Sequence, residues 1–299
     1  MQTANQSTPA VTAKNIQLAN LAFNFHHPDS PSFNYSRTQP LPPQQYRIPA
    51  SPSNYPDHTE PDCLLQRNDY SIHLVNSLKQ RIKASTLIKR MYASRGYQTE
   101  KTSVFSADSN QYTLEARQSG QLIGTLTLTI DTGKGLLADI LYQTELDQLR
   151  QQGRKLFEVS KLAFDPESSS KEIFASMFHM AHILAHHIHK ADDAVIEINP
   201  RHSLFYKRKL GFHQIGELRT CPRVNAPAVL LHLDMNYMKR QILNLGGQTE
   251  RKEKSLYPYF LTQHEEKIIV QQLQFRQINL NNLHKIRHKW PQLQIGLHA

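Results

Sequence analysis

Glu158 and Ser160 stand two residues apart in Phe157-Glu158-Val159-Ser160-Lys161-Leu162-Ala163-Phe164-Asp165, a run that reads as a β-strand. In an extended chain Phe157, Val159, Lys161 and Ala163 share one side, and Glu158, Ser160, Leu162 and Phe164 share the other. Asp165-Pro166 ends the strand, and Ser168-Ser169-Ser170 with Glu172 read as a helix start. A carboxylate midway along a strand that feeds a helix N-terminus supplies what acyl transfer needs. It offers a base beside backbone N–H groups able to hold a thioester and its phosphates. A half-exposed strand with its glutamate in water fits the same residues.

Further along, Asn199-Pro200-Arg201-His202 leads into Phe205-Tyr206-Lys207-Arg208-Lys209-Leu210-Gly211-Phe212. Phe205 and Leu210 would pack a short basic helix on the sheet. Tyr206 could protonate a leaving thiolate, since phenol and thiol pKa values lie within about two units; a packing tyrosine is the alternative. His202 reads as a helix-start hydrogen bonder before a base. Arg219 and Arg223 flank Cys221-Pro222 in a proline-bracketed loop and could grip a carboxylate by bidentate pairing, or be exposed charges on a turn. Nothing beside Cys221 argues for a lowered thiol pKa. His179, His182, His186 and His189 collect opposite the apolar stripe Ile173, Met177, Ala181, Leu184 and Ile188 of one helix. An i,i+4 pair such as His182 and His186 can bind a metal, but no adjoining carboxylate or cysteine completes a set, so the face reads as solvated and no metal is expected.

The elements that must position these groups follow from periodicity. Tyr70 to Val75 reads as a strand, Leu78 to Tyr92 as a helix stopped at Gly96, and Gln111 to Arg117 with Gln121 to Ile130 as a hairpin through Ser119-Gly120. Asp131 to Gly135 is a turn, Thr144 to Gln152 a short helix, and Ser170 to Lys190 a longer one. Val195 to Ile198, Phe212 to Leu218 and Ala228 to Leu233 read as the remaining strands, with a helix over His202 to Leu210. Hairpins mixed with helical crossovers predict an α+β fold with a mixed central sheet flanked by helices.

Composition sets the frame. Residues 1–65 are rich in Pro, Ser and Asn without apolar periodicity and read as a disordered N-terminal arm, in which Asn15 to Phe25 could form a short docking element. Residues 66–235 carry the patterned domain. Residues 236–299 hold an excess of Lys and Arg and read as a basic helical C-terminal extension, with helices over His264 to Leu273 and Leu283 to Trp290. Two cysteines, Cys63 and Cys221, cannot build a disulfide framework, and there is neither a long apolar run nor a signal-peptide pattern. The reading is a cytoplasmic protein. A formal charge of +10 implies an acidic partner, whether nucleic acid, an anionic membrane surface or an acidic protein.

Phe205 to Phe212 resembles the late helix–strand signature of the GNAT acyltransferase superfamily, in which a tyrosine at this place often acts as general acid. The run from Tyr70 to Asp234 resembles the N-acyl amino acid synthase branch of that superfamily, the relatives of long-chain N-acyltyrosine synthases, related in turn to acyl-homoserine lactone synthases. Gly124-Thr125-Leu126, Glu145 to Arg150, Glu158 to Leu162 and Cys221 to Pro227 carry the likeness. In lactone synthases a Glu-x-Ser-Arg strand motif supplies the proposed base; Glu158 and Ser160 match it, with Lys161 in the arginine's place. Arg90 resembles an arginine these families use near the carrier and substrate side. Where the usual Gly-rich pyrophosphate loop should follow the central strand, this chain has Asp165 to Glu172.

The resemblance implies a GNAT-like acyltransferase that moves a fatty acyl group from a thioester to the amine of an amino acid. It implies no tightly bound cofactor and an acyl-phosphopantetheine donor, with acyl carrier protein ahead of coenzyme A because of the altered loop. An acidic carrier would also suit the positive charge. Glu158 is then the base and Tyr206 the acid. Ser160, Lys161, Leu162, Ala163 and Phe164 hold the acyl donor, with oxyanion amides near Ala163 and Phe164, and Arg90, Arg219 and Arg223 hold the acceptor. An acetyl-CoA-dependent N-acetyltransferase is the first alternative. A non-catalytic basic binding module is the second; nucleic acid is disfavoured because the basic tail lacks interleaved aromatics, and peripheral membrane contact stays open.

Overall fold

A computed structural model describes residues 62–99, 110–168, 170–250 and 254–275. Residues 1–61 of the arm expected over 1–65, with its docking element at Asn15 to Phe25, and the helix expected over Leu283 to Trp290 lie outside the described residues. The fold is α+β, a mixed sheet flanked by helices, as the element order predicted. Its strands are β1 (Cys63–Gln66), β2 (Tyr70–Leu74), β3 (Gln111–Gln118), β4 (Gln121–Ile130), β5 (Leu156–Phe164), β6 (Asp193–Ile198), β7 (His213–Gln214), β8 (Arg219–Cys221) and β9 (Ala226–Asp234). The helices are α1 (Leu78–Ala93), α2 (Asp139–Gln151), α3 (Lys171–His182), α4 (Ser203–Leu210) and α5 (Met235–Leu245), and a further helical segment covers residues 263–275, where a helix was expected over His264 to Leu273. The sheet runs β1-β2-β3-β4-β5-β6-β9-β7, with β8 paired to β9. Every neighbouring pair is antiparallel except β5 and β6, which are parallel.

Local chemistry starts and stops these elements. Ser77 caps α1 through a capping box: its hydroxyl accepts from the Gln80 N–H, and the Gln80 side chain accepts from the Ser77 N–H. Ser119 and Gly120 both take positive φ (49° and 74°), the turn that matches the twist of the β3–β4 hairpin. Ser170 caps α3, and Gly211 (φ 83°) closes α4.

The sheet is covered on both faces. On one, Ile72, Leu114, Leu128, Phe157 and Val159 meet Phe174, Met177 and Phe178 of α3. On the other, Leu156, Val195 and Leu230 pack with Tyr142 and Leu146 of α2, and Ala163 packs with Leu87 and Ile88 of α1. Residues after Asp234 do not stand apart: Met238, Ile242, Leu245, Tyr257, Phe260, Leu261 and Ile269 join the main core.

Several expectations are corrected. Cys63 to Leu65, read as part of the arm, belong to β1 and pair with β2. The helix expected from Thr144 begins at Asp139, kinked at Tyr142 (φ −128°). The strand expected over Phe212 to Leu218 shrinks to His213–Gln214. The long helix leaves α geometry after His182 and continues as a π-helical turn, Ile183–Ile188. The face of β5 also changes partway, because Thr127 pairs with Ser160 while Thr125 pairs with Ala163, leaving one extra residue in β5. Lys161 sits in this bulge with φ 51°. Beyond it Leu162 and Phe164, expected beside Glu158 and Ser160, pack toward α3 with Phe157 and Val159, and Ala163 turns to the face of Leu156.

Candidate active site

The parallel pairing of β5 and β6 covers Leu156 with Asp193, Phe157 with Ala194 and Glu158 with Val195. Past that point β5 continues against β4 as far as Phe164, while β6 continues against β9 as far as Ile198. The two strands therefore part after Glu158. A cavity of about 400 Å³ fills the gap, and Glu158 to Phe164, Ile196 to Asn199, Tyr206, Arg223 and Ala226 to Ala228 line it. Its volume falls within the range of small-molecule sites, roughly 300–1,000 Å³.

Glu158 lies at the root of the gap. It is 1% exposed, and its Oε2 accepts a hydrogen bond from the Ala138 N–H at 3.2 Å, at the entry to α2. Burial pushes its carboxyl up to about 7, against the opposing pull of Arg223 and of the Ala138 and Leu137 amides. Such a group is ionised for much of the neutral range yet basic enough to take a proton, as a general base requires.

Arg223 reaches the same floor. Its Nη1 donates to the Leu137 carbonyl at 3.0 Å, and its Nη2 lies 2.8 Å from Glu197 Oε2. Lys161, turned by the bulge, lines the cavity with its ammonium pushed down to about 8 by burial, while Glu158 pulls it up and Arg223 pushes it down. Its Nζ lies 3.5 Å from Gln111 Oε1.

Tyr206, on α4, is buried against Phe178, Phe205 and Phe212 and lines the cavity. Burial, then the nearby Tyr92, raises its phenol well above the ordinary value, so it keeps its proton across the neutral range. His202 precedes α4 without making a side-chain cap bond. Burial, with Arg201 and Arg95, pushes it down to about 4, leaving a neutral imidazole on the wall. Cys221 lines the cavity too, but burial raises its thiol, the opposite of activation.

Two of the arginines read as acceptor ligands sit elsewhere. Arg90 is exposed on α1 and pairs with Asp165 Oδ2 at 2.7 Å. Arg219 is committed to α2: its Nη2 lies 2.6 Å from Glu145 Oε1, its Nη1 donates to the Leu141 carbonyl, and its guanidinium stacks 4.7 Å from the Tyr142 ring. Neither lines the cavity. Sequence reasoning missed Glu197, Tyr92, Arg95 and Tyr97, all on its wall. The signal for Glu197 was present: an acid inside the apolar run Val195-Ile196-Glu197-Ile198, on the strand that borders the gap.

The histidine face read as solvated is not so. His179 and His182 are buried beneath the residues around Leu261 and Glu266. Neither lines the cavity, nor do His186, His187 and His189.

The model of the N-acyl amino acid synthase FeeM family matches residues 83–234, just over half of the chain. Among solved structures, FeeM, an N-acyl amino acid synthase from uncultured soil microbes, is 29% identical, with a TM-score of 0.54; the match covers 57% of this chain and 94% of that one. An acyl-CoA N-acyltransferase from Pseudomonas aeruginosa is 15% identical over 55% of this chain and 97% of its own, with a TM-score of 0.38. The AHL synthase LasI is 13% identical over 56% of this chain and 89% of its own, with a TM-score of 0.39. No curated protein sequence matches. Among the described residues no helix is long and apolar enough to cross a membrane.

Proposed function

This chain belongs to the N-acyl amino acid synthase FeeM family and is an N-acyltransferase using an acyl thioester and a small-molecule acceptor, and on that premise we propose that it joins a fatty acyl group from acyl carrier protein to the amine of an amino acid. The observation that carries the reading is Glu158, a carboxylate with a near-neutral pKa where β5 and β6 part, on the wall of a largely apolar cavity.

The thioester lies along β5 in the gap. Its carbonyl is held by main-chain amides of the bulged segment Ser160 to Leu162, each contributing about 3 kcal/mol to the developing oxyanion. Amides near Phe164 are less suitable, because six residues of strand place them about 20 Å from Glu158. Glu158, directly or through water, takes the amine's proton as nitrogen bonds to the carbonyl carbon. The carbon–sulfur bond then breaks, and the thiolate takes its proton from Tyr206, which regains one from solvent. Arg223, the loop arginine that reaches the cavity, holds the acceptor's carboxylate; Lys161 and Glu197 complete the charged floor.

The catalytic unit is assigned to residues 66–235 extended by the rest of β1, with the residues after Asp234 packed on it as support. A carrier donor is favoured by the chain's formal charge of +10, which complements an acidic carrier, and by the absence of a Gly-rich pyrophosphate loop after β5. The test is to supply purified protein with a defined fatty acyl thioester, on carrier protein or on coenzyme A, and a mixture of amino acids, with mass spectrometry of the products. An N-acyl amino acid formed faster from the carrier thioester supports the reading. Faster acetyl transfer from acetyl-CoA, or no acyl amide at all, refutes it.

A further inference from the structure

We propose that His182, His187 and Glu266 bind a divalent transition-metal ion, best matched by zinc, that clamps the C-terminal segment onto the long central helix. The π-helical turn Ile183–Ile188 makes the grouping feasible. In an α-helix two residues five apart point about 140° away from one another, whereas a turn bonded i to i+5 brings them near the same side. The turn is closed in this manner, with the His189 N–H donating to the Leu184 carbonyl at 3.1 Å. Extra turns of this kind inside α-helices recur at functional sites.

The three potential ligand atoms all lie within 4.8 Å of one another. Nitrogen and oxygen ligands about 2.1 Å from zinc stand about 3.4 Å apart in a tetrahedron, so small side-chain adjustments close the set. His182 Nε2 is buried and makes no hydrogen bond, while Nδ1 of the same ring lies 3.5 Å from Met235 Sδ. With the proton on Nδ1 facing sulfur, Nε2 carries the lone pair a metal needs.

A supporting shell is also present. The Leu261 N–H donates to His179 Nδ1 at 3.0 Å, which leaves the proton on His179 Nε2, 3.1 Å from Glu266 Oε2. That bond orients the carboxylate so that its other oxygen, Oε1, lies 2.7 Å from His187 Nε2. Outer groups of this kind fix ligand orientation at metal sites. Two imidazoles, one carboxylate and a water complete four-coordinate zinc. None of the three ligands lines the acyl cavity, so the site stands or falls independently of the acyltransferase mechanism.

The test uses the full chain, stripped with chelator and titrated with zinc against a chromophoric competitor, then with cobalt followed in the visible region. The expected result is one zinc per chain with sub-micromolar affinity, cobalt bands of a tetrahedral nitrogen–oxygen site, and a melting temperature raised by zinc. His187→Gln and Glu266→Gln should each weaken binding at least tenfold. Failure of the wild-type chain to bind zinc saturably at one equivalent overturns the proposal, as does affinity unchanged in both variants. If the variants do not fold, the cobalt spectrum of the wild-type chain decides: tetrahedral bands support the site, and their absence overturns it.

Discussion

Glu158 and Val195 form the last paired position of β5 and β6, and both strands continue beyond it with other partners. The sheet is opened there without leaving either strand unsupported. The acid at the fork is buried and held by the Ala138 N–H at the entry to α2, and that burial, not a neighbouring anion, is the largest influence raising its pKa. Scaffold and proposed base are one feature: the residue that ends the pairing is the residue whose carboxyl burial raises.

This tuning has a consequence for folding. A carboxyl that titrates near 7 when folded and near 4.5 when unfolded favours the native state below about 4.5, and that contribution disappears as pH rises through 7. Glu158→Gln removes the cost of burying the charge. The variant should therefore gain stability over wild type progressively from pH 5 to pH 8, by about 3 kcal/mol at the upper end, as read from denaturant midpoints at several pH values.

Tyr206 differs from Glu158 in that burial keeps it in one protonation state throughout the accessible range. Tyr206→Phe preserves the contacts with Phe178, Phe205 and Phe212 and deletes the hydroxyl. Turnover should fall by about 10²-fold, with the acceptor KM little changed and no new step in the pH profile. A variant as fast as wild type would remove Tyr206 from leaving-group protonation.

Arg219, on β8, and Arg223, in the turn after it, should separate cleanly. Arg219→Ala breaks the pairing with Glu145, the bond to the Leu141 carbonyl and the stack on Tyr142, so stability should drop by about 1–3 kcal/mol. Acceptor KM at permissive temperature should change little. Arg223→Lys retains charge but loses the planar fork and should raise acceptor KM by about tenfold or more. Thermal melts and steady-state kinetics on both variants check the pair.

Much of this was legible in the chain. Alternation located β2 to β5, and Glu158, Ser160 and Tyr206 could be named from a strand and a short helix with distinctive residues. What escaped has physical causes. The bulge at Lys161 reverses which side chains share a face, and a period-two pattern carries no mark of an inserted residue. His179 and His182 read as a wet face because helical periodicity cannot show what a segment some eighty residues later will cover. Arg219 and Arg223 look alike in the sequence; the fold sets Arg219, on β8, against Glu145 of α2 and Arg223, in the turn that follows, against Glu197 of β6.

Glu158 is the proposed base on which every other step of the mechanism depends. Single-turnover acyl transfer from a preloaded fatty acyl carrier protein, followed by mass spectrometry from pH 5.5 to pH 8.5, addresses it most directly. The wild-type rate should rise with pH through an apparent pKa of about 7. In Glu158→Gln, with fold preserved by circular dichroism, the expected loss is about 10²–10⁴-fold, with no such inflection. A Glu158→Gln protein that transfers its acyl group at the wild-type rate, or retains the same inflection near 7, would contradict it.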